Sequence, residues 1–375
     1  MKKHLLNFAM LMMAFVSFTS CDDNDSPSQK IVLDKVSAFV INAGNAYSNI
    51  NGSITAIDVA SWAATPNAFK SVNGVELGGT VNDAVVYGSK LYVVATDENT
   101  VWVVDKKSMK KIAQLSTTTL MGNDKGKQPR HLAVGGGYVF VDTYDGFVAQ
   151  IDTTSYACHK TIEVGSYPEG MCVNGNYLFV ANSDLANQVN ASVALVNLNT
   201  YEVTQIKSDL IKNPKSVVVM QDGAYVLDMG YYETTAPYAQ KDAHIVRITG
   251  NIGSFGVEKV VDATAMACDV ANGFIYFINA PYGSSTAATY NVYNLAYRTT
   301  STFTQTGVDS PTGIFVDPVT NYVYITSMSL GEYGYADYFK NGYMNVYNRS
   351  GELQRKVDVG VDPEAMVFAY DYHIE

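Results

Sequence analysis

The sequence predicts an all-β chain folded as a seven-bladed β-propeller, with the ring closed by the C-terminal strand completing the first blade. Three series of segments carry that expectation. A short apolar strand recurs as Ala38 to Ile41, Leu91 to Val94, Tyr138 to Val141, Tyr177 to Val180, Tyr225 to Leu227, Phe274 to Phe277 and Tyr322 to Ile325. The interval of roughly 40 to 50 residues is that of four-stranded blades, and a solenoid or a sandwich would not keep it. One loop later comes a second strand that in most repeats ends in Asp or Asn: Ser53 to Asp58, Val101 to Asp105, Val148 to Asp152, Ser192 to Asn197, His244 to Ile248, Asn291 to Asn294 and Met344 to Asn348. The terminal Asp or Asn opens a tight turn into an outer strand. Ahead of each pair stands a segment of the type Pro-x-Gly-ϕ: Pro129 to Leu132, Pro168 to Met171, Pro214 to Val217, Pro311 to Ile314 and Pro363 to Met366. Val81 to Ala84 and Ala265 to Cys268 hold the same place without the proline.

The last of these segments has no blade of its own to follow it, because the chain printed ends at Glu375. The first blade, in turn, lacks an inner strand. Ala365 to Tyr370 is therefore expected to pair in blade one, which protects the two edges an open ring would expose. The motif series resembles the YVTN-type, YncE-like propellers, whose repeat reads roughly Pro-x-Gly-ϕ, Tyr-Val-Ala-Asn, ϕ-x-Val-ϕ-Asp. Tyr177-Leu-Phe-Val-Ala-Asn182 is the nearest match.

The N-terminus predicts a different kind of segment. Lys2 and Lys3, an apolar run from Leu5 to Phe18, and Phe18-Thr-Ser-Cys21 have the form of a secretory signal closing on a lipidated cysteine. The run is too short for a comfortable transmembrane helix. Residues 1–20 read as the signal peptide, 21–30 as lipidated Cys21 and a flexible acidic tether, and 31–375 as the propeller. Asp22-Asp-Asn-Asp25 resembles the export tag of Bacteroidota surface lipoproteins, which implies an address on the outer face of an outer membrane.

The formal charge is −11, and loss of Lys2 and Lys3 leaves 23 basic against 36 acidic residues, or −13. Nucleic acid and anionic lipid surfaces are poor partners for such a chain. After Cys21 the cysteines are Cys158, Cys172 and Cys268. An odd count argues against a disulfide framework, and buried free thiols are expected.

The loops between second and third strands should share one face. They are short in blades two and three, Thr96 to Thr100 and Asp142 to Gly146, and long elsewhere: Asn42 to Gly52, Asn182 to Ala191, Asp228 to Ala243, Asn279 to Tyr290 and Thr326 to Tyr343. The expected result is a cup with one low side, and concave faces are the default binding hypothesis. Tyr47, Tyr231, Tyr232, Tyr238, Tyr282, Tyr290, Tyr333, Tyr335, Tyr338, Phe339 and Tyr343 all fall in the long loops. Any one of these rings could simply pack its own loop. As a set they suit a bulky ligand, apolar on its faces and polar at its edges.

Around the axis, alignment of the inner strands gives a ring of Asn82, Arg130, Glu169, Lys215, Met266, Thr312 and Glu364. It is either a self-neutralising structural ring or the floor of the cup. The ends of the next strands supply Asn42, Thr96, Asp142, Asn182, Asp228, Asn279 and Thr326, which could meet a ligand or cap their own loops. Catalytic signals are sparse: His131, His159, His244 and His373 are scattered, and His131 alone falls near the floor. No catalytic residue and no metal ligand is assigned. Glu169, Glu364 and Asn82 could share a calcium as in propeller lactonases, but Arg130 and Lys215 in the same ring would repel a cation.

Leader, acidic tag, blade count and Tyr-rich face together resemble the BtuG family of surface vitamin B12-binding lipoproteins of Bacteroidota. The resemblance implies capture of cobalamin or another corrinoid and its delivery to a BtuB-like TonB-dependent transporter. It further implies a monomeric, lipid-anchored binding protein, with no covalently bound cofactor and cobalamin as the transported ligand. The residues expected to meet it are Tyr47, Arg130, Glu169, Lys215, Tyr231, Tyr232, Tyr282, Tyr333, Tyr335 and Glu364. A glycan-binding or adhesive surface propeller is the alternative, and after it a metal-dependent lactonase-like or lyase-like enzyme.

Overall fold

The computed structural model describes residues 31–185 and 189–374. Cys21 and the acidic tag lie outside the described residues. Seven four-stranded antiparallel sheets form the ring, as the periodicity predicts. Blade four shows the plain case, with Pro168–Asn174 innermost, then Tyr177–Asn182, Ser192–Asn197 and Val203–Ile206. Blade one is closed by the opposite end of the chain: Pro363–Ile374 pairs along Ile31–Asn42. This closing strand reaches further at both ends than the six residues the sequence motif marks.

Burial explains why the strands read as they do. Each core lies between two blades, so the middle strands are covered on both faces and appear as unbroken apolar runs rather than alternating ones. Lys90–Ala95 and Thr100–Asp105 are buried at almost every position, whereas Lys111–Ser116 at the outer edge has no fully buried residue. Seven apolar clusters result, one per interface. The closing strand feeds two of them: Val367 and Ala369 pack toward blade two, while Met366 and Phe368 pack toward blade seven.

Two short α-helices, besides a single 3-10 turn at Ala46–Ser48, depart from the all-strand expectation among the described residues. The outer strand of blade one is only Ala64–Thr65, and the helix Ala68–Asn73 takes over its upper half. Phe69 on that helix packs against Trp102 of blade two, ring centroids 5.2 Å apart, and Trp102 Nε1 donates to Leu77 O at 2.8 Å. An aromatic pair buried between blades thus does the work of missing strand residues. The second helix, Thr117–Met121, follows the outer strand of blade two and is N-capped by Ser116, which accepts from Thr119 N. No helix among the described residues is long and apolar enough to cross a membrane.

Cys158, Cys172 and Cys268 carry no disulfide, but all three are partly exposed rather than fully buried. Burial of their thiol groups raises the pKa of Cys172 and Cys268, so neither is activated as a thiolate.

Candidate functional site

The Pro-x-Gly-ϕ motif has a structural reason. In six of the seven inner strands the ladder slips at the residue after the Pro-like position: between Val81 and Asp83, Pro129 and Leu132, Pro168 and Met171, Pro214 and Ser216, and Pro311 and Gly313, and in the closing strand opposite Ile41 and Asn42. Such a bulge leaves a residue unopposed and re-aims its side chain. Proline is tolerated just before it because the first strand residue need not donate to the ladder. The bulges fall at Asn82, Arg130, Glu169, Lys215, Thr312 and Glu364, which are all ring positions. Blade six pairs without a slip, and its Met266 packs into the core shared with blade five.

These ring members do not share charge evenly. Glu169 collects the cations: Lys215 Nζ lies 3.1 Å and Arg130 Nη2 3.6 Å from its Oε2, and Tyr144 Oη donates to Oε1 at 2.9 Å. His131 Nδ1 is 3.5 Å from the same carboxylate. Burial opposes ionisation of Glu169, but Lys215, His131 and Arg130 outweigh it and hold the carboxyl at about 2. The His131 imidazole is pushed down to about 3, by burial first and then by Lys215 and Arg130 against the pull of Glu169, so it is neutral at pH 7. Glu364 stands apart, exposed and without an ion pair among the described residues. Its neighbour Asp362 is raised to about 7 by burial and by Glu364.

Other floor members are internally satisfied. Asn82 Nδ2 donates to Thr96 Oγ1, and Thr312 Oγ1 donates to Pro363 O and lies within hydrogen-bond distance, 2.9 Å, of Thr326 Oγ1. The second polar set stitches backbone rather than opening to solvent. Asp142 Oδ1 accepts from His131 N, Asp228 accepts from the backbone N–H of Lys212, Asn213 and Gly230, and Asn182 Nδ2 donates to Val164 O. Asn42 Oδ1 accepts from Gly360 N across the seam between blades seven and one. These buried side chains hold bulges and neighbouring blades together more than they cap their own loops, while Asn279 is half-buried and its Oδ1 has no partner among the described residues.

The wall is aromatic and mostly open. Of the eleven strongly exposed aromatic side chains described, nine lie on this face: Tyr47, Tyr231, Tyr232, Tyr238, Tyr282, Tyr333, Tyr335, Tyr338 and Phe339. Tyr290 and Tyr343 are exceptions to the expected wall. Both are buried, Tyr290 in the core between blades six and seven and Tyr343 with its hydroxyl accepting from Asp309 N. Tyr232 and Tyr282 meet edge to face at 6.4 Å, and Lys212 Nζ lies 5.4 Å from the Tyr231 ring centroid. Asn45 Nδ2 donates to Tyr338 O at 3.2 Å, joining the first-blade loop to that of blade seven. Tyr47, Tyr333 and Tyr335 are the most exposed of the set.

The low side over blades two and three carries groups the loop lengths did not reveal. Tyr144, in the short loop of blade three, stacks 4.8 Å beneath the Arg130 guanidinium and packs against Tyr167 at 5.1 Å. The only sequence signal for them was adjacency, Tyr144 to the strand end at Asp142 and Tyr167 to Pro168. Asp83, next to ring member Asn82, accepts from Leu132 N and Ala84 N, and burial raises its carboxyl to about 7. Among the described residues no group of three or more His, Cys, Asp or Glu is placed to hold a metal ion. A cavity of about 670 Å³ opens between blades four and five on the opposite face, lined by Tyr177, Phe179, Leu195, Met220 and Phe255. It holds none of the ring or wall residues.

A family model described as a domain of unknown function (DUF5074) matches residues 37–368. No curated protein matches the chain. Among solved structures, a candidate 6-phosphogluconolactonase from Bacteroides fragilis superposes with a TM-score of 0.57 at 11% identity, covering 93% of this chain and 100% of that one. Hydrazine synthase from Kuenenia stuttgartiensis gives 0.55 at 15% identity, covering 79% and 95%. The WD40 repeats of RRP9 give 0.52 at 9%, covering 75% and 81%. At these identities the likeness is one of fold, which hosts unrelated functions.

Proposed function

This chain belongs to the DUF5074 family, and from that premise we propose that it captures cobalamin or a related corrinoid on the loop-walled face and passes it to an outer-membrane TonB-dependent transporter. The observation that carries the reading is the concentration of nine exposed aromatic side chains on one face around a polar axial floor. A corrin is a broad ring with apolar faces and a fringe of amides. It needs wide aromatic contact together with neutral donors and acceptors, and Tyr supplies both at low conformational cost. The floor offers two cations, Arg130 and Lys215, that share the single carboxylate of Glu169, and among the described residues no grouped metal ligands, which supports a binding protein over a metal-dependent hydrolytic enzyme.

Capture of a scarce nutrient calls for a dissociation constant at or below the nanomolar range, roughly −12 kcal/mol. A few buried aromatics usually carry such energy. Single changes to Ala among Tyr231, Tyr282, Tyr333 and Tyr335 are therefore expected to be uneven, with one or two costing about 2 kcal/mol or more. Isothermal titration with cyanocobalamin checks this. Neither heat nor retained colour at micromolar protein would remove the corrinoid reading, and binding of oligosaccharides instead would favour the glycan-binding alternative, for which the same exposed rings would stack on sugars.

The proposed address is the cell surface through a lipid on Cys21. Cys21→Ala is expected to release the protein from membranes, since acyl chains anchor at roughly 0.8 kcal/mol per buried methylene. Replacing Asp22 to Asp25 by alanine is expected to abolish protease access on intact cells while membrane attachment persists. Unchanged shaving of the tag variant would refute the sorting role.

A further inference from the structure

Arg130 is the least satisfied cation in the ring. Its guanidinium side chain is 13% exposed, and its closest ion-pair contact, to Glu169, is 3.6 Å, beyond hydrogen-bond length. Its buried Nε has no partner among the described residues. The Tyr144 ring lies against the fork, 4.8 Å from the guanidinium carbon to the ring centroid. Lys215 stands beside it, 39% exposed, and spends one donor on Glu169 Oε2. An ammonium has three donors and a guanidinium five. The floor therefore presents several unmet N–H groups from two cations, with one full counter-charge in contact. Such groups cost free energy unless water or a ligand meets them.

We propose that Arg130 and Lys215 form a subsite for a single phosphate-diester group at the floor of the cup. Two parallel N–H groups from Arg and one from Lys match two oxygens of such an anion, as forked recognition does elsewhere. The assignment rests on the corrinoid reading, because cobalamin carries one phosphodiester, in its nucleotide loop, and cobinamide lacks it. The surrounding groups allow it. His131 is neutral at pH 7, Asp142 is buried and bonded to His131 N, and Asp83 is bonded to two backbone N–H groups. Glu364 is the exposed carboxylate that opposes an incoming anion, and nothing described pins it in place.

Titration of the full chain with cyanocobalamin and with dicyanocobinamide tests this, with Lys215→Met and Glu364→Gln as variants and thermal melts as a check on folding. Lys215 is half open and its loss leaves Glu169 paired with Arg130, so the variant should fold. Loss of a charged hydrogen bond is expected to weaken cyanocobalamin about ten- to hundredfold while leaving dicyanocobinamide within about twofold. Glu364→Gln should tighten cyanocobalamin selectively. Equal weakening of both ligands by Lys215→Met, or equal affinity of both for the unmodified protein, would overturn the subsite while leaving corrinoid capture standing. If neither corrinoid binds, the capture reading falls and dimethyl phosphate decides the subsite. A phosphorus-31 shift on titration that vanishes in Lys215→Met supports it, and no shift overturns it.

Discussion

Deletion of residues 363–375 is expected to abolish the cooperative unfolding transition and to leave aggregated protein. The removed strand pairs with Ile31–Asn42 at eleven positions, so its loss exposes a long row of unmet backbone N–H and C=O groups on an apolar strand. Edges of that kind template intermolecular pairing. The deletion also strips Met366 and Phe368 from one interface and Val367 and Ala369 from the next. At about 1.5 to 3 kcal/mol for each large apolar side chain lost from a core, the sum reaches the whole stability of an ordinary domain. Circular dichroism melts and size exclusion read the outcome, and a truncated chain that stays monomeric and melts like the full chain would refute ring closure. Addition of the Pro363 to Ile374 peptide in trans should restore part of the transition, because the vacated edge is specific for that register.

Glu169→Ala is expected to cost about 3 to 5 kcal/mol at neutral pH, since it leaves the buried Arg130 without its counter-charge. Changing Arg130 to Met in the same chain should recover most of the loss, because an apolar pair of similar volume avoids burying a lone charge. The penalty should depend on pH. The Glu169 carboxyl is held at about 2, below its ordinary value of 4.5, so its contribution is fully present above about pH 4.5 and is lost as pH falls through 2. Wild type and Glu169→Ala should therefore converge in stability toward pH 2. Their difference is the quantity to follow, because Asp83, raised to about 7 by burial, acts in the opposite sense in both proteins: ionising the unfolded chain above pH 3.8 destabilises the fold until pH 7 is reached. Denaturant melts from pH 2 to pH 7 make the comparison, and a difference that does not change with pH would show that Glu169 acts by packing alone.

Much of the architecture was legible in the sequence because propeller blades repeat a local pattern. The apolar runs of Leu91 to Val94 or Tyr177 to Val180, the Asp or Asn turns and the Pro-like starts each follow from chemistry within a few residues, and their period counts the blades. Closure by the C-terminal strand followed from a missing partner at each end. The ring positions Arg130, Glu169 and Lys215 were also found, since a bulge sits at a fixed offset from the proline. What the tertiary structure alone decided depends on contacts between distant segments. Tyr290 and Tyr343 look like Tyr333 and Tyr335 in sequence, yet the first two fall inside the strands Thr289–Asn294 and Asn341–Tyr347 and are buried, while the others stay in the loop and are exposed. Tyr144 sits in the short loop of blade three and Tyr167 just ahead of Pro168, and only the folded ring sets Tyr144 against the Arg130 guanidinium and packs the two rings together. The gathering of Lys215, Arg130 and His131 on one carboxylate, with Glu364 left outside, is likewise set by the order of blades around the axis. A linear sequence records which charges are present, and electrostatic pairing depends on the distances that only ring closure imposes.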